Sequence, residues 1–107
     1  MCHCLACQRR TGSVFGAQAR FPETCVTVSG NSRQYARTAD SGSTLTFNFC
    51  PHCGATVHYT NDALPGLVGI PIGAFADPAF EVPAFSVYEC SMHAWVDVPD
   101  GADRSPS

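Results

Sequence analysis

Thr44-Leu45-Thr46-Phe47-Asn48-Phe49-Cys50-Pro51-His52-Cys53-Gly54 is the stretch that sets the fold class. Leu45, Phe47 and Phe49 recur at every second position, the period of a strand with one buried face. The strand runs into a Cys-x-x-Cys knuckle that can aim both sulfurs at one point. Pro51 fixes φ after the first sulfur, and Gly54 can take the left-handed turn that closes the knuckle. Thr56-Val57-His58-Tyr59-Thr60 then reads as the returning strand. The pair is expected to be a hairpin with a metal-bound tip, its thiolates suited to tetrahedral Zn²⁺. The alternatives are a redox pair of thioredoxin type and plain core cysteines. A redox pair is expected near a βαβ pattern opening a helix, and this sequence shows none.

Outward from the hairpin the text remains strand-like. Toward the amino end, Val14 to Phe21 reads as a strand closed by Pro22. Cys25-Val26-Thr27-Val28 reads as another, and Arg33 to Arg37 as a half-exposed one before a turn at Thr38 to Gly42. Toward the carboxyl end, Leu67 to Gly73 is a strand in which Pro71 indicates an edge or a bulge. Phe85 to Cys90 follows, with a short strand at Ala94 to Val96. Cys25 and Cys90 stand alone in apolar runs and read as buried core thiols. Many short strands with one short helix describe an all-β domain of sandwich or folded-sheet type. The helix is Leu5 to Arg10, with Gly12 as its C-cap. One domain over residues 1–98 is expected, with 99–107 a flexible tail.

The second cysteine cluster is Met1-Cys2-His3-Cys4-Leu5-Ala6-Cys7, three thiols in six positions. Three thiolates on Zn²⁺ leave the fourth position open, which separates a catalytic zinc from a structural one. Such a site is soft and net negative, and prefers a sulfur substrate to a hard oxygen one. Arg9 and Arg10 follow at once and can offset that charge, although either alone also reads as an ordinary surface residue. Three arrangements of the five clustered sulfurs are open at this stage. They can split, three on one zinc and two apart. Cys4, Cys7, Cys50 and Cys53 can merge on one structural zinc. A second copy of the chain can complete the half-site across a homodimer.

Composition narrows the function classes. The chain has 107 residues, 45% hydrophobic and 14% charged, with net charge −3. That is a globular composition with room for one core. All six basic residues are Arg and form no basic run, so nucleic acid is not an expected partner. Apolar runs are too short for a membrane-spanning helix, and no secretion signal opens the sequence. Seven cysteines, an odd number with five at ligand spacings rather than spread as a disulfide framework, indicate a reducing cytoplasm and metal.

The run Cys2-His3-Cys4-x-x-Cys7-x-x-x-Thr11-Gly12-Ser13 resembles the glutathione-dependent formaldehyde-activating enzyme family. So do Phe49-Cys50-Pro51-x-Cys53-Gly54, Gly69-Ile70-x-x-Gly73-x-Phe75-x-Asp77-Pro78, and the later Pro83 with Trp95. The resemblance implies an Mss4-like fold of folded β-sheets with zinc knuckles. It implies Cys2, Cys4 and Cys7 as ligands of a catalytic zinc, and Cys50 and Cys53 as half of a four-cysteine structural zinc. The sequence lacks the family's earlier Cys-x-Cys-Gly strand, which supplies the other half. The implied activity is that of a carbon–sulfur lyase on S-hydroxymethylglutathione, made from glutathione and formaldehyde. Glutathione carries two carboxylates, which Arg9, Arg10 or Arg20 can bind as forks.

Other candidates have blander readings. His3 reads as a group flanking the site or a proton carrier, His52 as exposed, His58 as surface or core edge, and His93 as loop. Tyr59 and Tyr88 are candidates for lining the site. Phe47, Phe49, Phe75, Phe85 and Trp95 read as core or pocket wall. Two function classes follow: a zinc lyase acting on a glutathione–aldehyde adduct, and a zinc-stapled interaction module without catalysis.

Overall fold

The computed structural model describes all 107 residues. The chain forms two compact units, Met1–Gln18 with Asp77–Ser107, and Ala19–Ala76, where the sequence suggested one domain. It contains a short helix α1 (Leu5–Thr11) and strands β1 (Gln18–Pro22), β2 (Arg33–Thr38), β3 (Thr44–Phe49), β4 (Thr56–Asn61), β5 (Leu67–Pro71), β6 (Phe85–Ser86) and β7 (Asp103–Arg104). This is the all-β, Mss4-like architecture with a short amino-terminal helix. No helix is long and apolar enough to cross a membrane.

The Ala19–Ala76 unit is built on a five-stranded sheet in the order β1-β5-β4-β3-β2. The β3–β4 hairpin forms as expected, antiparallel with Phe47 opposite Tyr59 and Asn48 opposite His58. Phe47 and Tyr59 are buried with ring centroids 5.4 Å apart, and the Arg37 guanidinium lies 5.6 Å from the Phe47 centroid. Leu45 and Phe49 are only half-buried, so Phe47 is the core residue of the alternating set. Asn48 is buried on the other face. Its Oδ1 accepts from Gln34 Nε2 at 3.0 Å and from Ser32 Oγ at 3.4 Å, which meets the demand of a polar group out of water. Gly69 stands opposite Tyr59, whose ring lies where a side chain at Gly69 would begin.

Several strand expectations are corrected. Val14 and Phe15 lie outside β1, which starts only at Gln18. Cys25 to Val28 is not a strand: after Pro22 the chain turns through a 3₁₀ segment at Glu23–Cys25, and Cys25 is exposed. Pro71 closes an interior strand rather than marking an edge. At the last position its missing N–H interrupts no ladder, and the chain passes into a 3₁₀ turn at Ile72–Phe75. The run from Phe85 stops at Ser86 because Tyr88 takes positive φ and opens a 3₁₀ turn, which leaves Cys90 exposed. Residues 94–96 form no strand, although Val96 is buried. Apart from Pro71, these runs are apolar enough for strands but are cut short by turns.

The expected tail is partly ordered. Asp103–Arg104 pairs in parallel with Phe85–Ser86, and Ser105 N donates to Ser86 O at 2.8 Å. Backbone bonds, which composition does not reveal, hold this segment. Arg104 Nε also meets both Glu89 oxygens, at 2.9 and 3.1 Å. That guanidinium, and then the Ser86 hydroxyl, hold the Glu89 carboxyl below its ordinary value. A depressed carboxyl adds stability above its ordinary range and loses it as pH falls through the folded value. Acidification is therefore expected to reduce hydrogen-exchange protection of the Ser105 amide. Glu89→Gln should show the reduced protection already at pH 7. Equal protection in both proteins at both pH values would contradict the ion pair's role.

Candidate metal centre

The first unit gathers the amino-terminal cysteines. Cys2 is clamped on both sides by backbone, exchanging hydrogen bonds with Gly16 at 2.8 and 2.9 Å and lying in a parallel bridge with Val87. His3 N donates to Val87 O at 3.0 Å, so backbone bonds tie residues 1–3 down as an isolated bridge rather than a strand. Cys4 then ends the extended segment and caps α1, with its sulfur accepting from Cys7 N at 3.3 Å. One helical turn brings Cys7 back over Cys4. Gly12, at φ 70°, closes the helix by donating to Gln8 O at 2.9 Å.

These steps place the sulfurs of Cys2, Cys4 and Cys7 all within 4.8 Å of one another, with Cys7 buried and all three unpaired. Ligands about 2.3 Å from a tetrahedral ion stand about 3.8 Å apart, so the donor set fits a zinc ion held by three thiolates. The electrostatics favour a thiolate at Cys7, whose pKa is held down to about 5. The first cause is the hydrogen bond from the Cys2 thiol. Burial opposes it, and Cys4 and the Arg10 guanidinium add to it. Cys2 is pushed up because it is that donor, and by burial.

The two arginines part company. Arg9 is exposed, whereas Arg10 is half-buried and its positive charge helps to lower the Cys7 pKa. Arg20 is exposed on β1 of the other unit.

Cys50 and Cys53 belong to that other unit and form the expected knuckle. Cys50 Sγ accepts from His52 N at 3.4 Å, Gly54 takes φ 76°, and its N–H returns to Cys50 O at 2.8 Å. The His52 amide, then the Cys53 amide and thiol, lower the Cys50 pKa. The knuckle is exposed at Cys53 and His52.

His3 lies between two of the clustered cysteines but is fully buried. Its Nε2 bonds Ser86 Oγ at 3.0 Å, and the ring lies 5.8 Å from Phe15. Either atom of that pair can be the donor, according to which ring nitrogen carries the proton. Burial lowers the His3 pKa and keeps the ring neutral. Ser86→Ala leaves that buried ring nitrogen without its partner, at about 1–3 kcal/mol. A lowered urea midpoint at unchanged slope is expected, and an unmoved midpoint would show the bond to be idle.

Other residues fall as follows. Tyr59 is part of the sheet core, and His58 is half-buried on β4. Trp95 is 72% exposed and so is not core. It stands edge-on to His93, 6.3 Å between ring centres, and His93 Nε2 bonds Gln8 Oε1 at 3.1 Å. Gln8 also donates to His3 O and Ser91 O, at 2.9 and 3.0 Å. Sequence reading missed Gln8, Gln18 and Ser86, which carry no pattern. It also passed over Gly16 inside an apparent strand, and such a glycine is a signal of close backbone approach.

The sequence profile of the family described as glutathione-dependent formaldehyde-activating enzyme matches residues 1–96, from the cysteine cluster through Trp95. No curated protein matches the chain.

Proposed function

The chain belongs to the glutathione-dependent formaldehyde-activating enzyme family, and from that premise we propose that it is a zinc-dependent carbon–sulfur lyase acting on a glutathione–aldehyde adduct. The observation that carries the reading is the convergence of three unpaired sulfurs within 4.8 Å. In the synthetic direction the glutathione sulfur bonds to the formaldehyde carbon, and the thiol proton ends on the hydroxymethyl oxygen. The reverse reaction breaks that carbon–sulfur bond. Cys2, Cys4 and Cys7 would hold the Zn²⁺, which when bound supplies a Lewis-acidic position that favours the thiolate form of a thiol.

The chain's own residues prepare the site. The Gly16 and Val87 backbones fix Cys2, the helix turn fixes Cys4 against Cys7, and the Arg10 charge favours the Cys7 thiolate. Arg9 remains exposed and is the cation assigned to a glutathione carboxylate. Cys50 and Cys53 are assigned as half of a structural zinc site. The knuckle amides directed at Cys50 support that assignment. The cysteine spacing supports a reducing cytoplasm as the setting.

The test is ¹³C exchange between labelled formaldehyde and glutathione. Zinc-loaded protein is expected to speed adduct formation and breakdown equally, with loss on chelation and recovery on adding zinc. An exchange rate that is the same with and without the loaded protein would contradict the reading. One saturated metal indifferent to glutathione would favour an interaction module instead.

A further inference from the structure

We propose that Arg10 is a positioning residue for the metal-binding cysteines: its guanidinium, braced by Gln18 over the bare backbone of Gly16, holds the Cys7 sulfur and balances the thiolate charge. The proposal rests on the zinc reading above and adds the device that makes the site retain its metal.

The geometry is local to the first unit. Cys7 and Arg10 are three residues apart on α1 and therefore share a face. In the orientation that satisfies both its groups, the Gln18 amide donates to Gly16 O at 3.0 Å and accepts from the guanidinium at 3.1 Å. Gly16 leaves the room for this. A Cβ there would lie 2.8 Å from the Gln18 amide, 3.2 Å from the Arg10 guanidinium and 3.5 Å from Cys7 Cβ. The same Gly16 exchanges both backbone bonds with Cys2. One residue without a side chain thus touches the framework of two ligands and the brace of the cation.

The chemistry asks for such a cation. Three thiolates around a divalent ion leave a net negative charge in a partly buried place. A guanidinium is always charged and presents a rigid planar fork, so it can serve sulfur and amide together in a fixed geometry that a rotatable ammonium does not hold. Arg9, two positions from Cys7 and exposed, does not share the face.

The test is zinc affinity of the full chain by competition with a chromophoric chelator, with Co²⁺ spectra as a second readout. Thermal melting of each metal-free variant is recorded alongside. Arg10→Gln is expected to weaken zinc binding about 10–100-fold, the usual effect of losing a residue that orients a ligand. Arg33→Gln, at an exposed arginine of β2, should stay within about twofold, as for an ordinary surface charge. Arg10→Lys keeps charge without the fork and should fall between them, which carries the test if Arg10→Gln melts early. Wild-type zinc binding with Arg10→Gln and Arg10→Lys both matching Arg33→Gln would overturn this inference alone. A wild-type chain that binds no zinc would overturn it together with the reading on which it rests.

Discussion

Cys7→Ser should lose zinc and lower the carbon–sulfur exchange rate to that of the reagents alone. Cys7 is the buried member of the cluster and the point on which the other groups converge. The Cys2 and Cys4 sulfurs lie within 4.8 Å of its own, and with the Arg10 charge they lower its pKa. A serine hydroxyl at that place is harder, less acidic and a poorer zinc ligand. Changes to groups that merely orient a ligand cost about 10–100-fold in affinity, so removal of the ligand should exceed 100-fold or so. Cys25→Ser and Cys90→Ser are the controls, since both thiols are exposed and neither belongs to the cluster. Their affinities should equal that of the wild type in the same chelator competition. If Cys7→Ser retained zinc as the controls do, the ligand assignment would be wrong.

The second large effect is on stability. Gly69→Ala puts a methyl group into the ring of Tyr59, a buried residue that also packs on Phe47. The atom it meets belongs to a rigid ring, so no flexible side-chain end can yield. Overpacking of a core costs about 1–3 kcal/mol, and this collision belongs at or above the upper end. Each kcal/mol moves the melting temperature of a domain this size by roughly 4–8 °C, so a fall of more than about 10 °C is expected. Tyr59→Leu removes the colliding ring. The double variant Gly69→Ala/Tyr59→Leu should therefore be less destabilised than the two single effects summed, a coupling that a double-mutant cycle reads directly. Strict additivity would mean that the ring does not rest on Gly69.

These two positions also mark what was legible in the sequence and what was not. Period-two patterning placed β3 at its observed limits and the returning strand one residue short. Proline and glycine chemistry anticipated the Cys50–Gly54 knuckle, and Gly12 ended the helix as expected. The cysteine spacing anticipated the cluster, because a helix started at Cys4 must return Cys7 to the same side. The contributions of residues distant in sequence were not legible. Nothing near Cys2 announces that Gly16 and Val87 will hold it, or that Ser86 will face His3. Strand β7 is polar and has no period, and only its backbone bonds define it. Arg9 and Arg10 look equivalent in the text, and the helix phase separates them. Of the aromatics read as core or pocket wall, Phe75, Phe85 and Trp95 are exposed and so are not core, because aromatic type alone does not set burial.

The most direct measurement is the Co²⁺-substituted protein, titrated first with metal and then with glutathione. Absorption bands of thiolate ligation should appear in wild type and be lost in Cys2→Ser, Cys4→Ser and Cys7→Ser. The same bands should change when glutathione is added. Bands that survive all three substitutions and ignore glutathione would contradict the central claim that Cys2, Cys4 and Cys7 build a thiol-responsive metal centre.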